Sequence, residues 1–140
     1  MSTFFTDAEL AYLDTHRLGR LATVGKTGTP HVVPTLYHFD GETGSFRIGQ
    51  GPLEGRGQER LYVRHVAANP RAAFVVDDVV VDHEYAPRGI SVKGTAVVHT
   101  HGGGAFGPEF GPQWVEVIPD WVASWGIDTG SYAPAVPRKS

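Results

Sequence analysis

From Arg20 onward the apolar positions mostly recur at every second residue, interrupted by short clusters of Gly, Pro, Asp and Thr. That alternation is the signature of successive β-strands joined by turns. RLATV, a Lys-Thr-Gly turn and PHVVPTLYHF predict a hairpin of two apolar strands. Asp40 to Gly44 predicts a second turn, leading into SFRIGQ as a third strand. RAAFVVDDVVVD and ISVKGTAVVHTH predict two further strands, and WVEVIP a shorter one. Hairpins in succession favour an antiparallel sheet, and about six strands with few helices close best as a barrel, because closure removes unpaired edges. Pro30 suits a strand start. Pro34 lacks an amide donor inside the second strand, which predicts an edge, a bulge or backbone presented to something else.

Two segments break the period of two. Thr6 reads as an N-cap, Glu9 completes a capping box and Phe5 is placed to staple onto Leu10. The first helix then turns Leu10, Leu13 and Tyr12 inward and ends between His16 and Gly19, with Gly19 as a left-handed cap. ERLYVRHVAANP has helical spacing and stops before Pro70, because the residue preceding a proline avoids the helical region. Two Gly-rich loops, Gly49 to Gly57 and HGGGAFGPEFGP, are the sequence's places for a specialised pocket. The chain divides into a barrel domain, 1–128, and an aperiodic C-terminal tail, 129–140, with no internal repeat.

At 140 residues there is room for one domain. With no cysteine, neither a disulfide framework nor a thiolate metal site can form. The acidic N-terminal stretch MSTFFTDAEL is unlike a secretory signal, and no apolar run approaches membrane-spanning length, so the expectation is a cytoplasmic protein with no membrane partner. A net charge of −3 argues against a nucleic-acid coat protein, since phosphate neutralisation dominates such binding. Charge is nevertheless uneven: between Arg47 and Arg71 there are five Arg and two acids, which leaves a local anion site open.

Taken in order, GRLATVGKTGTPHVVPTLY, FRIGQ, VRHVAANPRAAFVVDD, PRGISVKGTAVV and WVEVIPDWVASWGID resemble the pyridoxamine-phosphate-oxidase-like split-barrel family, and within it the actinobacterial branch that uses the deazaflavin coenzyme F-420. The resemblance covers Phe5 to Asp128. It implies a mainly β fold, a six-stranded antiparallel split β-barrel of Greek-key type that binds FMN in relatives. It also implies a homodimer with two cofactor sites at the subunit interface. Val32, Val33, Pro34 and Thr35 then lie along the flavin or deazaflavin ring, and Ile48, Gly49 and Gln50 beside the linker to phosphate. Relatives carry a Lys pair before the second helix; here Arg56, Arg60 and Arg64 are the available cations, and helical spacing puts Arg60 and Arg64 on one face. Arginine grips phosphate bidentately, so the replacement is compatible with binding, and a groove with Lys26, Arg56 and Arg60 near its mouth would favour the longer anion of F-420 over FMN.

No nucleophile elbow, P-loop or zinc-protease signature is present, which suits an enzyme whose cofactor carries the chemistry. The resemblance implies a coenzyme F-420-dependent oxidoreductase, with FMN as the alternative, that transfers hydride to a conjugated C=C or C=N of a small organic substrate. A non-catalytic barrel holding flavin, haem or a tetrapyrrole is the rival from another class. Tyr37 and His38, which follow the ring-facing strand, are the candidates for donating a proton or hydrogen bond to substrate. Trp125, and with it Trp114 and Trp121, could wall a pocket, including across the dimer. His99 and His101 share a face if their strand continues, but no matched carboxylate or Cys completes a metal site, and none is expected.

Overall fold

A computed structural model describes residues 4–51, 60–81, 85–108 and 110–140. The first helix, α1, is Asp7–Asp14, and the capping box forms as its sequence requires: Glu9 N donates to Thr6 Oγ1 at 3.1 Å, and Thr6 N to Glu9 Oε1 at 2.9 Å. The helix stops earlier than expected. Thr15 caps it in a right-handed conformation, with its hydroxyl donating to Tyr12 O. Gly19 instead lies buried in the first strand, where a Cβ would fall 2.3 Å from the Phe74 ring. It is a packing glycine, not a left-handed cap.

The described residues form eight strands: β1 (Leu18–Val24), β2 (Pro30–Leu36), β3 (His38–Asp40), β4 (Ser45–Gly49), β5 (Arg71–Val81), β6 (Tyr85–His99), β7 (Trp114–Trp125) and β8 (Arg138–Lys139). All ladders are antiparallel, in the order β2-β1-β5-β6-β7-β4-β3, with β8 added to β7. The expected count of six and the observed eight differ for a physical reason. The segment PHVVPTLYHF is one continuous run that changes partner at Tyr37: β2 pairs with β1 up to Leu36, and β3 pairs with β4 from His38. That change of partner curls the sheet back on itself. The eighth strand is β8, in the segment expected to be a tail, whereas WVEVIP and DWVASW join into one strand, β7, with Pro119 at an irregularity in the β6–β7 register beside Lys93 and Gly94.

The second helix, α2 (Leu61–Ala68), ends before Pro70 as its sequence predicts and covers β1 and β6 with Tyr62, Val63 and Val66. The core is a cluster of strand residues that includes Leu21, Phe46, Ile48, Phe74, Val92 and Val117, alternating with outward positions. The C-terminal segment is tied down by β8 and by Arg138, which donates to the buried Glu9 carboxylate.

Candidate functional site

The change of partner at Tyr37 creates the site. Beyond the pair His38↔Arg47 the ladder between β3 and β4 ends, and β2, although close to β4, is not bonded to it. The two strands part there. Continued past that last pair, the register runs β2, with Val32 to Thr35, back alongside the segment from Gly49 to Gly51; these two segments are called the lips of the candidate opening. β2 is an edge strand, which explains how it tolerates Pro34.

The residues of the two lips face different ways. Pro34 and Val32 are exposed, Val33 packs against the core, and Thr35 is half-buried. Thr35 Oγ1 is inaccessible and has no hydrogen-bond partner, an orphaned polar atom at the lip that a ligand group would satisfy. Across the opening, the Ile48 side chain is fully buried and offers only backbone. Gly49 and Gly51 present no side chain, and Gln50 is turned inward, donating from Nε2 to the Tyr62 hydroxyl at 2.8 Å. Burial pushes the Tyr62 phenol up, which keeps it neutral as the acceptor of that bond.

Tyr37 itself is held by structure. Its ring is buried among Phe46 and Phe74, its hydroxyl donates to Leu13 O at 2.9 Å, and burial pushes its phenol above the ordinary range. His38 is exposed and stacks on Phe106, with ring centroids 5.1 Å apart. Of the two proton-donor candidates only His38 faces solvent.

The arginines expected to act together diverge. Arg60 is the N-cap of α2 and reaches Gly51 O at 3.4 Å, on the lip. Arg64, one turn on, lines a separate groove of about 590 Å³ between α2 and the β1–β2 turn, with Gly25, Lys26, Thr27 and His65. Arg56 lies outside the described residues. Among the described residues neither Lys26 nor Arg64 has an ion-pair partner, whereas Arg20, Arg47, Arg71, Arg88 and Arg138 each hold an acid. His65 floors the groove: its Nδ1 is hydrogen-bonded to Thr23 Oγ1 at 3.0 Å, and its ring occupies the space a Cβ on Gly25 would fill. Lys26, expected with Arg56 and Arg60, lines this groove with Arg64 instead, because the β1–β2 turn meets α2 there through the fold.

Trp125 is the last residue of β7. It pairs with Gly89 at the far end of β7, whereas Trp114, beside Gly49, marks the near end. Eleven residues of strand separate the two, roughly 35 Å if extended. His99 closes β6 and its Nε2 lies 2.9 Å from Glu116 Oε1, so it is engaged across the sheet and not with His101.

The family model described as pyridoxamine 5'-phosphate oxidase matches residues 5–105. A 5a,11a-dehydrotetracycline/5a,11a-dehydrooxytetracycline reductase from Streptomyces rimosus subsp. rimosus is 38% identical over 124 residues, which is 89% of this chain and 84% of the reductase. Among solved structures, a conserved hypothetical protein from Mycobacterium tuberculosis superposes with a TM-score of 0.65 at 18% identity, covering 86% of this chain and 84% of that one. A FAD-binding protein from Mesorhizobium loti does so with a TM-score of 0.60 at 18% identity, over 86% of this chain and 94% of that one. At such identities these two structures share the fold with this chain.

Proposed function

Because the chain belongs to the pyridoxamine 5'-phosphate oxidase family, we propose that it is an oxidoreductase that uses coenzyme F-420 to reduce a conjugated double bond of a small organic substrate. Its 38% identity to a reductase of dehydrotetracyclines supports both the reaction class and an unsaturated acceptor. A reduced deazaflavin supplies hydride from its central ring. The lips of the opening bind and orient that ring, with Thr35 Oγ1 and the bare backbone of Gly49 to Gly51 as its polar contacts. His38, exposed at the fork, is the residue positioned to hydrogen-bond the acceptor.

The observation that carries the choice of deazaflavin over FMN is the pair of cationic positions along α2. Arg60 stands at the lip, where a phosphate next to the ring would lie. Lys26 and Arg64, without acid partners among the described residues, line the groove that runs beside α2, with Arg64 one helical turn, about 6 Å along the axis, beyond Arg60. FMN ends at its phosphate and has nothing to place there, whereas the phosphodiester and glutamates of F-420 bring several more negative charges.

The protein works as a homodimer with both sites at the interface. The exposed side of β2 is apolar, with Val32 64% and Leu36 60% exposed, and Leu18 continues the patch by pairing with Leu36. A contiguous apolar face of this kind is suited to a second copy. In that arrangement Trp125 reaches the partner's opening instead of its own.

The test is a titration of the apoprotein with F-420 and with FMN, by fluorescence quenching, at low and high salt. F-420 should bind tighter, by a margin that narrows as salt screens the exposed part of the tail. Tighter binding of FMN at both salt concentrations would sink the deazaflavin assignment. Binding of F-420 without turnover of any enone would favour the non-catalytic alternative.

A further inference from the structure

The groove beside α2 has three ionisable side chains in its lining, Lys26, Arg64 and His65, and no acid among the described residues. Lysine and arginine carry their charge throughout the neutral range, whereas histidine is the side chain whose charge depends on pH there. How His65 is held decides what it can do. Its Nδ1 is hydrogen-bonded at 3.0 Å to Thr23 Oγ1, on a buried threonine, so this side of the ring is anchored to β1. The opposite edge lies against the β1–β2 turn: a Cβ on Gly25 would fall 2.7 Å from its Cδ2 and 2.9 Å from its Nε2. The turn comes this close only because residue 25 is glycine. His31, the cross-strand partner of Thr23, meets the ring edge-on, with centroids 5.5 Å apart. His65 Nε2, unlike Nδ1, has no hydrogen-bond partner among the described residues, and it is not sealed from solvent.

Protonation changes what this edge offers. In a neutral imidazole one nitrogen donates and the other accepts; in the imidazolium both donate, so Nδ1 keeps Thr23 and Nε2 has a proton to give to a ligand. The groups around His65 are Lys26 from the turn, Arg64 from its own helix, His31 from β2 and the neutral Thr23 from β1. None of them is an acid. An anionic oxygen lodged among the three cations therefore supplies the negative charge that the groove itself lacks.

We propose that His65 is the pH-dependent member of a three-cation anion site: Nε2 of its imidazolium donates to a carboxylate or phosphate oxygen flanked by Lys26 and Arg64, and binding of the anion takes up a proton. This rests on the reading of the groove as the place of the cofactor's anionic tail, and it adds that the tail is held more tightly below neutral pH than above it. A ligand that stops at the lips gains nothing from the same proton, so the effect separates long anions from FMN.

Affinities for F-420, FMN and an N-acetylated triglutamate peptide are measured by calorimetry at about pH 6.5 and about pH 8.5, on either side of the range in which histidine changes charge. The wild type is compared with His65→Asn, whose amide can keep the bond to Thr23 but has no Nε2. In the wild type, F-420 and the peptide should each bind roughly tenfold more tightly at the lower pH, and FMN equally within about twofold. The asparagine variant should bind both long anions as weakly at the lower pH as at the higher. In parallel, the ring signals of wild-type His65 are followed by NMR through a pH titration with and without the peptide. Because protonation and binding are linked, the peptide should move the midpoint of that titration to higher pH, and this arm needs no variant. Wild-type peptide affinity that is independent of pH, or a midpoint that the peptide leaves in place, overturns the proposal. If F-420 fails to bind while the peptide binds with the expected pH dependence, the cofactor reading falls and the anion site stands. If F-420 binds equally at both pH values, the cofactor reading stands and the site at His65 falls.

Discussion

Arg138 donates to the carboxylate of Glu9, 129 positions earlier in the chain, at 2.5 Å. Glu9 is fully buried, and one of its oxygens also closes the capping box of α1 while the other accepts from Ser124 Oγ at 2.6 Å. Three separate parts of the chain therefore meet on one carboxylate: α1, the end of β7 and β8.

That convergence predicts unequal costs. Arg138→Ala removes one charge-assisted bond and should destabilise the fold by about 1–3 kcal/mol. Glu9→Ala removes the cap, the Ser124 bond and the ion pair together, and should cost about 3–5 kcal/mol. Urea denaturation with both variants checks this. No loss in Arg138→Ala would mean that β8 docks without help from Glu9.

Asp78 sets an acid limit on stability. Two hydrogen bonds from the Arg88 guanidinium hold its carboxyl well below the usual range, against a burial cost, with further donation from Tyr12 and His16. A carboxylate whose folded value is depressed stabilises the fold fully above its unfolded value of about 3.9, and loses that contribution as pH falls towards the folded value. The stability difference between wild type and Asp78→Asn should therefore be constant above about pH 5 and shrink below about pH 4. A difference that is flat down to pH 2 contradicts the ion-pair account.

The cations along α2 should separate by ligand. Lys26→Ala and Arg64→Ala should each weaken F-420 binding by about tenfold and leave FMN within about twofold, whereas Arg60→Ala should weaken both. Identical effects on the two cofactors from all three variants would remove the groove from the site.

The apolar face of β2 is tested by charge. Val32→Asp combined with Leu36→Asp places two carboxylates where both wild-type side chains are mostly exposed, so the monomer should fold normally. Sedimentation velocity should then show a monomer where the wild type sediments as a dimer. A variant that still dimerises would locate the interface elsewhere on the chain.

Most of the framework was legible because it is written in local chemistry. Thr6 and Glu9 lie three residues apart and define their own helix start, and Pro34 narrows its strand to an edge, a bulge or presented backbone, of which the edge is found. What escaped depends on contacts across the fold. Gly19 follows a helix closely enough to pass for its cap, yet its smallness serves Phe74, more than fifty residues away. The alternation through Tyr37 gives no sign that the strand changes neighbours, because both halves need the same pattern. Arg60 and Arg64 share a face by spacing, but one is a helix cap and the other a groove wall. Lys26 was legible as a groove cation, but that it stands with Arg64 depends on where the β1–β2 turn arrives. The two-residue strand β8 has too few positions to show a period, and a long-range ion pair holds it.

The transfer of one strand between neighbours at Tyr37 bears on how a ligand enters. An opening made by two bodies meeting must be closed by moving one of them, and the ordering of the walls is charged against affinity. Here both lips continue into hydrogen-bonded ladders, and the branch point is locked from inside by a phenol reaching the backbone of the first helix. On the proposed reading, the two walls that this chain itself supplies are already tied into ladders, so little of a planar ring's binding free energy goes into arranging them.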